Sequence, residues 1–248
     1  MRFSIITVCY NCEKLIKQTI ESVMNQEFKD YEMIFIDGKS KDSTLKIIEN
    51  YSKKFKHFKL LSEEDDGIYD AMNKGIYLAD GEILFFLNAG DIFYNNMILE
   101  KIDKKFNDCD ILYGNYKVNN LIINNDKEKI NKLFFIREKM LCHQTIFASK
   151  KCFENNLFDL NYKVCADRYW LINNFKNNRS FKYIDEIISV YDCTGFSTSE
   201  ESIKLISKES INILKKQFNK KVVILIYIKR ILGNIKRRLK SLKDVKNV

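Results

Sequence analysis

The 248-residue chain contains no Pro, only 8 Gly and only 2 His. Lys, Asn and Ile are abundant alongside the missing Pro, a pattern of codon bias toward A and T, so the absence of Pro carries no structural message. The few Gly form no phosphate-binding signature. There is no GxGxxG after the first strand-like run, and neither GxxxxGKS nor GxxxxGKT occurs, which argues against dinucleotide and P-loop readings. The 7 Cys offer no zinc site: Cys9 and Cys12 flank Tyr10 and Asn11, and no second pair stands at a ligand spacing. Their odd number and apolar neighbours point to reduced thiols in a reducing compartment. No apolar run approaches the length of a membrane-spanning helix, and the opening residues enter a strand pattern directly, as expected without a signal peptide.

What is present is enough apolar material for a large core, with 46% hydrophobic and 13% aromatic residues. The length fits one large α/β domain, or one domain with an appendage. Charge is unevenly placed. Residues 202–248 hold 14 basic and 2 acidic residues, a net of +12, whereas residues 1–201 carry −3. The overall +9 therefore belongs to the tail, whose partner would be nucleic acid or an anionic membrane. The acidic remainder argues against a broad nucleic-acid groove.

The residues that organise the chain are Gly81 to Asp91. Ile83 to Leu87 are five consecutive apolar residues, too few for a buried helix and suited to a central strand. Asn88, Ala89, Gly90 and Asp91 then end the run, placing a carboxylate where ligands bind in open α/β sheets. A turn favoured by Asn, Gly and Asp for local reasons is the plain alternative for this stretch alone. Upstream, the pattern predicts strands at Phe3–Cys9, Tyr31–Asp37 and Phe58–Ser62. Helices are expected over Glu13–Gln26, Leu45–Tyr51 and Ile68–Ala79. Such alternation predicts a parallel sheet with right-handed crossovers. Asp37, Asp65/Asp66 and Asp91 recur at or just beyond strand ends. Carboxylates there could bond a base or ribose and hold a metal that in turn holds a pyrophosphate.

Four stretches together resemble family 2 glycosyltransferases of the GT-A fold, in particular bacterial enzymes of capsule, O-antigen or exopolysaccharide synthesis. They are Ser4-Ile-Ile-Thr-Val-Cys-Tyr-Asn11, Ile36-Asp-Gly-Lys-Ser-Lys-Asp-Ser-Thr44, Ser62 to Gly75, and Leu87-Asn-Ala-Gly-Asp91. The resemblance covers about residues 3–200. It implies a Rossmann-like, mostly parallel sheet, a nucleotide-sugar donor (uridine preferred), a divalent metal (Mn²⁺ or Mg²⁺) and inversion at the anomeric carbon. It also implies roles. Thr7 and Tyr10 would line the nucleoside pocket, and Asp37 would bond the base. Asp65, Asn73 and Asn88 would face the donor, and Asp91 would bind the metal as the second Asp of a DxD motif whose first position is Ala89. His143 and Gln144 would line the acceptor or pyrophosphate site. Asp167, a residue that the helix dipole alone could favour at a helix start, would be the general base.

Farther along, the pattern predicts a hairpin around Asn119–Asn120, a strand over His143–Phe147, a helix beginning near Asp167 and a strand over Phe181–Tyr191. Residues 192–197 would form a loop over the acceptor. Residues 1–200 thus divide into a donor half, 1–91, and an acceptor half, 92–200, followed by a basic helical tail over 201–248. In that tail Ile224, Ile228, Ile231, Ile235, Leu239 and Leu242 follow helical spacing with Lys and Arg on the other face. Such a helix can lie in an anionic lipid interface, which predicts peripheral attachment at the cytoplasmic face of the membrane. The expected acceptor is a glycan or lipid-linked sugar. The rival readings are a nucleotidyltransferase, which Val8-Cys-Tyr-Asn11 does not support because it lacks a Gly-rich loop and Lys, and a binding-only homologue, motivated by Ala89.

Overall fold

The structure is a computed structural model that describes residues 1–125, 130–136, 139–192, 200–218 and 224. Its first four strands are β1 (Phe3–Cys9), β2 (Tyr31–Asp37), β3 (Phe58–Ser62) and β4 (Ile83–Phe86). Helices α1 (Ile16–Met24), α2 (Thr44–Ser52) and α3 (Ile68–Leu78) connect them. All four strands run parallel, with β1 between β2 and β4, and β3 outside β2. Every residue of β1 and β2 is buried, the signature of strands covered on both faces.

The second half contributes β5 (Ile92–Phe93), α4 (Ile98–Lys105), β6 (Ile111–Val118), β7 (Leu121–Ile123) and α5 (Lys132–Ile136). It continues with β8 (Ile146–Ser149), α6 (Ala166–Lys176), β9 (Phe181–Tyr191) and α7 (Glu200–Gln217). The sheet order is β3-β2-β1-β4-β8-β6-β9-β5, with β7 paired to β6. Strand β8 is antiparallel to β4 and β6, and β9 is parallel to β6. The sheet is therefore mixed, with its parallel block built from β1 to β4 in the first 86 residues.

Helices cover both faces. On one side α1, α2 and α4 pack Ile20, Val23, Ile48 and Ile102 onto Phe3, Phe35 and Phe85. On the other, α3, α6 and α7 pack Met72, Trp170, Ile213 and Leu214 around Ile6, Ile34 and Phe86. Gly75 lets α3 approach the sheet closely, since a Cβ there would lie 2.4 Å from Ile6 Cγ2. Any larger residue would push the helix off β1.

The hairpin turns at Asn119, whose φ of 51° suits Asn. The strand expected over His143–Phe147 is corrected: His143–Thr145 is a turn of 3₁₀ helix, and β8 begins only at Ile146. Thr145 causes this by bonding back through both its N–H (3.0 Å) and its hydroxyl (2.7 Å) to the Cys142 carbonyl. The packing of Ile213 and Leu214 joins α7 to the domain core. Of the apolar stripe from Ile224 to Leu242, only the exposed Ile224 is described, and residues 193–197 of the expected acceptor loop lie outside the described residues. Among the described residues, no helix is long and apolar enough to cross a membrane.

Glu32 is fully buried in the middle of the parallel block. Its Oε1 accepts Ser4 Oγ (2.6 Å) from β1 and the amides of Asp80 (2.6 Å) and Gly81 (3.2 Å) ahead of β4. Its Oε2 pairs with Lys59 Nζ of β3 at 2.7 Å. Burial alone would raise its pKa; Lys59, Ser4 and the Asp80 amide outweigh this and hold it below the ordinary value. A carboxyl so held contributes stability that is fully present above its unfolded pKa, near 4.3, and is lost as pH falls through the folded value. Glu32→Gln should therefore cost about 3–5 kcal/mol at pH 7. In thermal melts the gap to the parent should narrow below about pH 4; an equal gap at pH 7 and pH 3 would refute this account.

Candidate active site

The carboxyl edge of the parallel block carries the polar residues singled out above. Beyond β4, the Asn88–Asp91 turn is held from α1. Gln18 Nε2 donates to the Gly90 carbonyl (2.7 Å), and Thr19 Oγ1 donates to the Asp91 carbonyl (2.8 Å) while accepting the Gly90 amide (2.9 Å). The Asp91 side chain is buried, with one oxygen accepting the Asp192 amide at 2.9 Å beyond β9. Burial pushes its pKa up to about 6, against the opposing pull of the Asp192 amide, His143 and Gln144. Gly90 has φ +104°, and a Cβ there would sit 2.6 Å from Asp192 Oδ2.

His143 connects the two halves. Asn88 Nδ2 lies 3.0 Å from its Nε2, and its Nδ1 lies 3.6 Å from Asp167 Oδ2. The imidazole thus stands between the Asn88 side chain and the Asp167 carboxylate. Asp167 Oδ1 accepts the Tyr69 hydroxyl at 3.0 Å and the Arg168 amide at 2.7 Å. Tyr69 is buried, and burial followed by the Asp167 charge keeps its hydroxyl protonated well beyond its usual range. One oxygen of Asp167 is thus fixed from behind by Tyr69, leaving the other toward His143. Both side chains remain partly exposed, at 18% for Asp167 and 24% for His143.

A second cluster lies at the ends of β1 and β2. Tyr10 is exposed, and its ring and Asp65 Oδ2 lie at 3.4 and 3.0 Å from where a Gly38 Cβ would be. Asp65 is bound to Lys74 at 2.6 Å, and Lys74 also pairs with Glu63 (3.0 Å) and Asp70 (3.1 Å). Burial raises the Asp65 pKa despite Lys74. An exposed ring beside a partly buried carboxylate can stack and bond a planar base.

Three expected donor contacts look different in the structure. Thr7 is fully buried, and its hydroxyl donates to the Leu87 carbonyl at 2.6 Å, tying β1 to the end of β4. Asp37 is also fully buried, with its carboxylate accepting the Ser40 hydroxyl, the Ser40 amide (3.1 Å) and Ser62 Oγ (2.6 Å). Through these contacts it shapes the loop around Gly38. Asn73 clamps the backbone of Phe158, donating to its carbonyl (2.9 Å) and accepting its amide (3.0 Å). Gln144 is buried against Asp91, supporting that carboxylate from behind. Sequence reasoning missed Tyr69 as a partner of Asp167 and Asp192 as a wall over Gly90. Tyr69 lies inside the Ser62–Gly75 stretch, so its motif was visible although its contact was not.

Solved structures share this architecture. The S. aureus TarS 1–349 complex with UDP-GlcNAc superimposes with a TM-score of 0.69 at 20% identity, covering 91% of this chain and 70% of that one. The mannosyltransferase PcManGT from Pyrobaculum calidifontis, in complex with GDP-Man and Mn²⁺, gives a TM-score of 0.62 at 13% identity, covering 94% and 80%. The fold is that of the GT-A glycosyltransferases. Residues 4–199 match the model of Glycosyl transferase family 2, and the chain belongs to that family. A PGL/p-HBAD biosynthesis glycosyltransferase of Mycobacterium bovis (strain BCG / Pasteur 1173P2) is 28% identical over 200 residues, 78% of this chain and 77% of that one.

The residues at this edge fit a divalent cation completed by a donor's phosphates. Asn88 Oδ1 is buried without a hydrogen-bond partner, and Asp91 is a desolvated carboxylate on the same turn. Among the described residues no group of three His, Cys, Asp or Glu could hold a metal alone. A cation shared with phosphates needs only one or two carboxylates from the protein.

Gly90→Ala combines a strained φ with a clash against Asp192. It should lower the melting temperature by about 4 °C or more, the equivalent of at least ~1 kcal/mol. A variant that melts with the parent would show that Asp192 does not press on this turn.

Proposed function

We propose that the chain transfers a glycosyl group, with inversion, from a UDP-sugar to a hydroxyl of a glycan or lipid-linked acceptor in cell-surface glycan synthesis. The observation that carries this reading is the chain of contacts from Asn88 through His143 to Asp167, which brings a candidate base to the edge that carries Asp91. The relatives support it: TarS was solved in complex with UDP-GlcNAc, and the mycobacterial protein is a PGL/p-HBAD biosynthesis glycosyltransferase.

Asp167 Oδ2 takes the proton of the acceptor hydroxyl. The freed oxygen attacks the anomeric carbon from the side opposite the diphosphate. The bond from that carbon to the diphosphate oxygen breaks, and its electron pair leaves with the nucleoside diphosphate. Tyr69 holds Asp167 in place through the other oxygen. Tyr10 and Asp65 receive the nucleoside. Asp91, with Asn88 Oδ1, would hold a divalent cation, which when bound offsets the charge growing on the leaving diphosphate.

Two variants separate base from donor site. Asp167→Asn should keep UDP affinity in calorimetry with Mn²⁺, while UDP release from UDP-GlcNAc slows by roughly two to four powers of ten. Asp91→Ala should keep the fold by circular dichroism and lose the Mn²⁺-dependent part of UDP affinity. Near-parental turnover in Asp167→Asn would move the base elsewhere, and unchanged Mn²⁺-dependent affinity in Asp91→Ala would end its assignment. If the parent protein binds UDP but shows no turnover of UDP-GlcNAc, the binding-only reading raised by Ala89 takes over.

We further propose that the basic segment past Gln217 attaches the enzyme peripherally to an anionic membrane at the cytoplasmic face. Its charge supports this, at about 1 kcal/mol per nearby basic residue. Full-length protein should co-sediment with phosphatidylserine vesicles at low salt and less at high salt, and a chain ending at 218 should not. Failure of the full-length protein to bind such vesicles would remove the membrane from the account.

A further inference from the structure

Helix α6 begins at Ala166, and its N-cap residue, Cys165, supplies no side-chain cap. The amides around a helix start need acceptors. Here they find one in α7. The buried Glu209 accepts the Lys163 amide on Oε1 at 2.8 Å, and the Val164 and Cys165 amides on Oε2, both at 3.1 Å. One carboxylate therefore gathers three successive N–H groups just ahead of the helix. This is the favoured place for a negative charge, both for the converging amides and for the helix dipole. Asp167 follows the last of these amides by two residues.

Other contacts of α7 hold the same unit. Cys165 Sγ lies 3.7 Å from Ser210 Oγ and 3.8 Å from the Ile206 carbonyl. At the far end of α6, Gln217 donates to Asn173 (2.9 Å) and accepts from Lys176 (2.8 Å). Tyr69 and His143 set Asp167 from the donor side. The backbone that carries it is set from the α7 side. The family match ends at residue 199, so this support lies outside the matched span.

We propose that Glu209 is a positioning residue for Asp167: by binding the amides of residues 163–165 it fixes the start of α6, and with it the carboxylate that accepts the acceptor proton. The proposal rests on the reading of Asp167 as the base. It makes α7 part of the catalytic machinery.

The test uses the full-length chain. Glu209→Ala removes the acceptor for all three amides, and Glu209→Gln keeps one carbonyl oxygen. UDP release from UDP-GlcNAc should fall about 10- to 100-fold in Glu209→Ala, as expected when a reacting group is displaced. The Gln variant should recover part of that loss. UDP affinity with Mn²⁺ should stay within about twofold of the parent, because the contacts described for Tyr10, Asp65, Asn88 and Asp91 come from elements other than α7. The double variant Glu209→Ala/Asp167→Asn should be no slower than Asp167→Asn alone, since both act through one carboxylate. If Glu209→Ala fails to fold, Glu209→Gln and its double variant decide the question alone. Parental turnover in a folded Glu209 variant, losses that multiply in the double variant, or UDP affinity falling in step with turnover would each overturn the proposal. Asp167→Asn at parental turnover would overturn the base assignment and the role of Glu209 with it. An inactive Asp167→Asn beside a fully active Glu209→Ala would overturn the role of Glu209 only.

Discussion

A single buried carboxylate joins the four parallel strands. Glu32 reaches β1 through Ser4, β3 through Lys59 and the approach to β4 through two amides. Sliding any of these strands by one residue would leave that charge unpaired in the core, a cost that hydrophobic contacts alone would not impose. The register it fixes places the ends of β1, β2 and β4 side by side. Tyr10, Asp65 and Asp91 can share one edge only because those ends are level.

The edge itself is built on unequal terms. Asp37 is sealed and satisfied by Ser40 and Ser62, whereas Asp91 is sealed and remains short of compensation, so its pKa rises to about 6. A carboxylate that the protein leaves undersupplied is one that a cation would stabilise. The same contrast holds between Thr7, whose hydroxyl is spent on Leu87, and Asn88, whose carbonyl oxygen has no partner. Which polar groups were left incomplete marks the working surface more sharply than which residues are polar.

Much of the fold was legible because the parallel strands are mostly apolar and the helices between them follow a clear period. Strand ends were also legible, through Asp37 and Asn88–Asp91. What escaped was the direction of single side chains. Thr7, Asp37 and Asn73 sit in motif positions yet turn inward, because a partner from a distant element (Leu87, Ser62, Phe158) claims them. Glu32 looked like an ordinary polar residue in a strand because Lys59 lies in another strand. The 3₁₀ turn at His143 depends on the Thr145 hydroxyl competing with the ladder, which no periodicity reports. Glu209 lay in a stretch read for its charge, and its value comes from three amides 44 to 46 positions earlier.

The sheet order has a consequence for how the molecule is made. Strand β9 lies between β6 and β5, although it is the last of the nine described strands to be synthesised. The parallel block can pair as it leaves the ribosome, since β1 to β4 follow one another in the chain. β5 must wait for residues 181–191 before it has a partner in the sheet. The Asp192 amide that holds Asp91 emerges only after those. During synthesis the protein can pass through a stage with the parallel block paired and the rest of the sheet unfinished. The Asp91 carboxylate can gain the Asp192 amide only when nearly four-fifths of the chain has been translated.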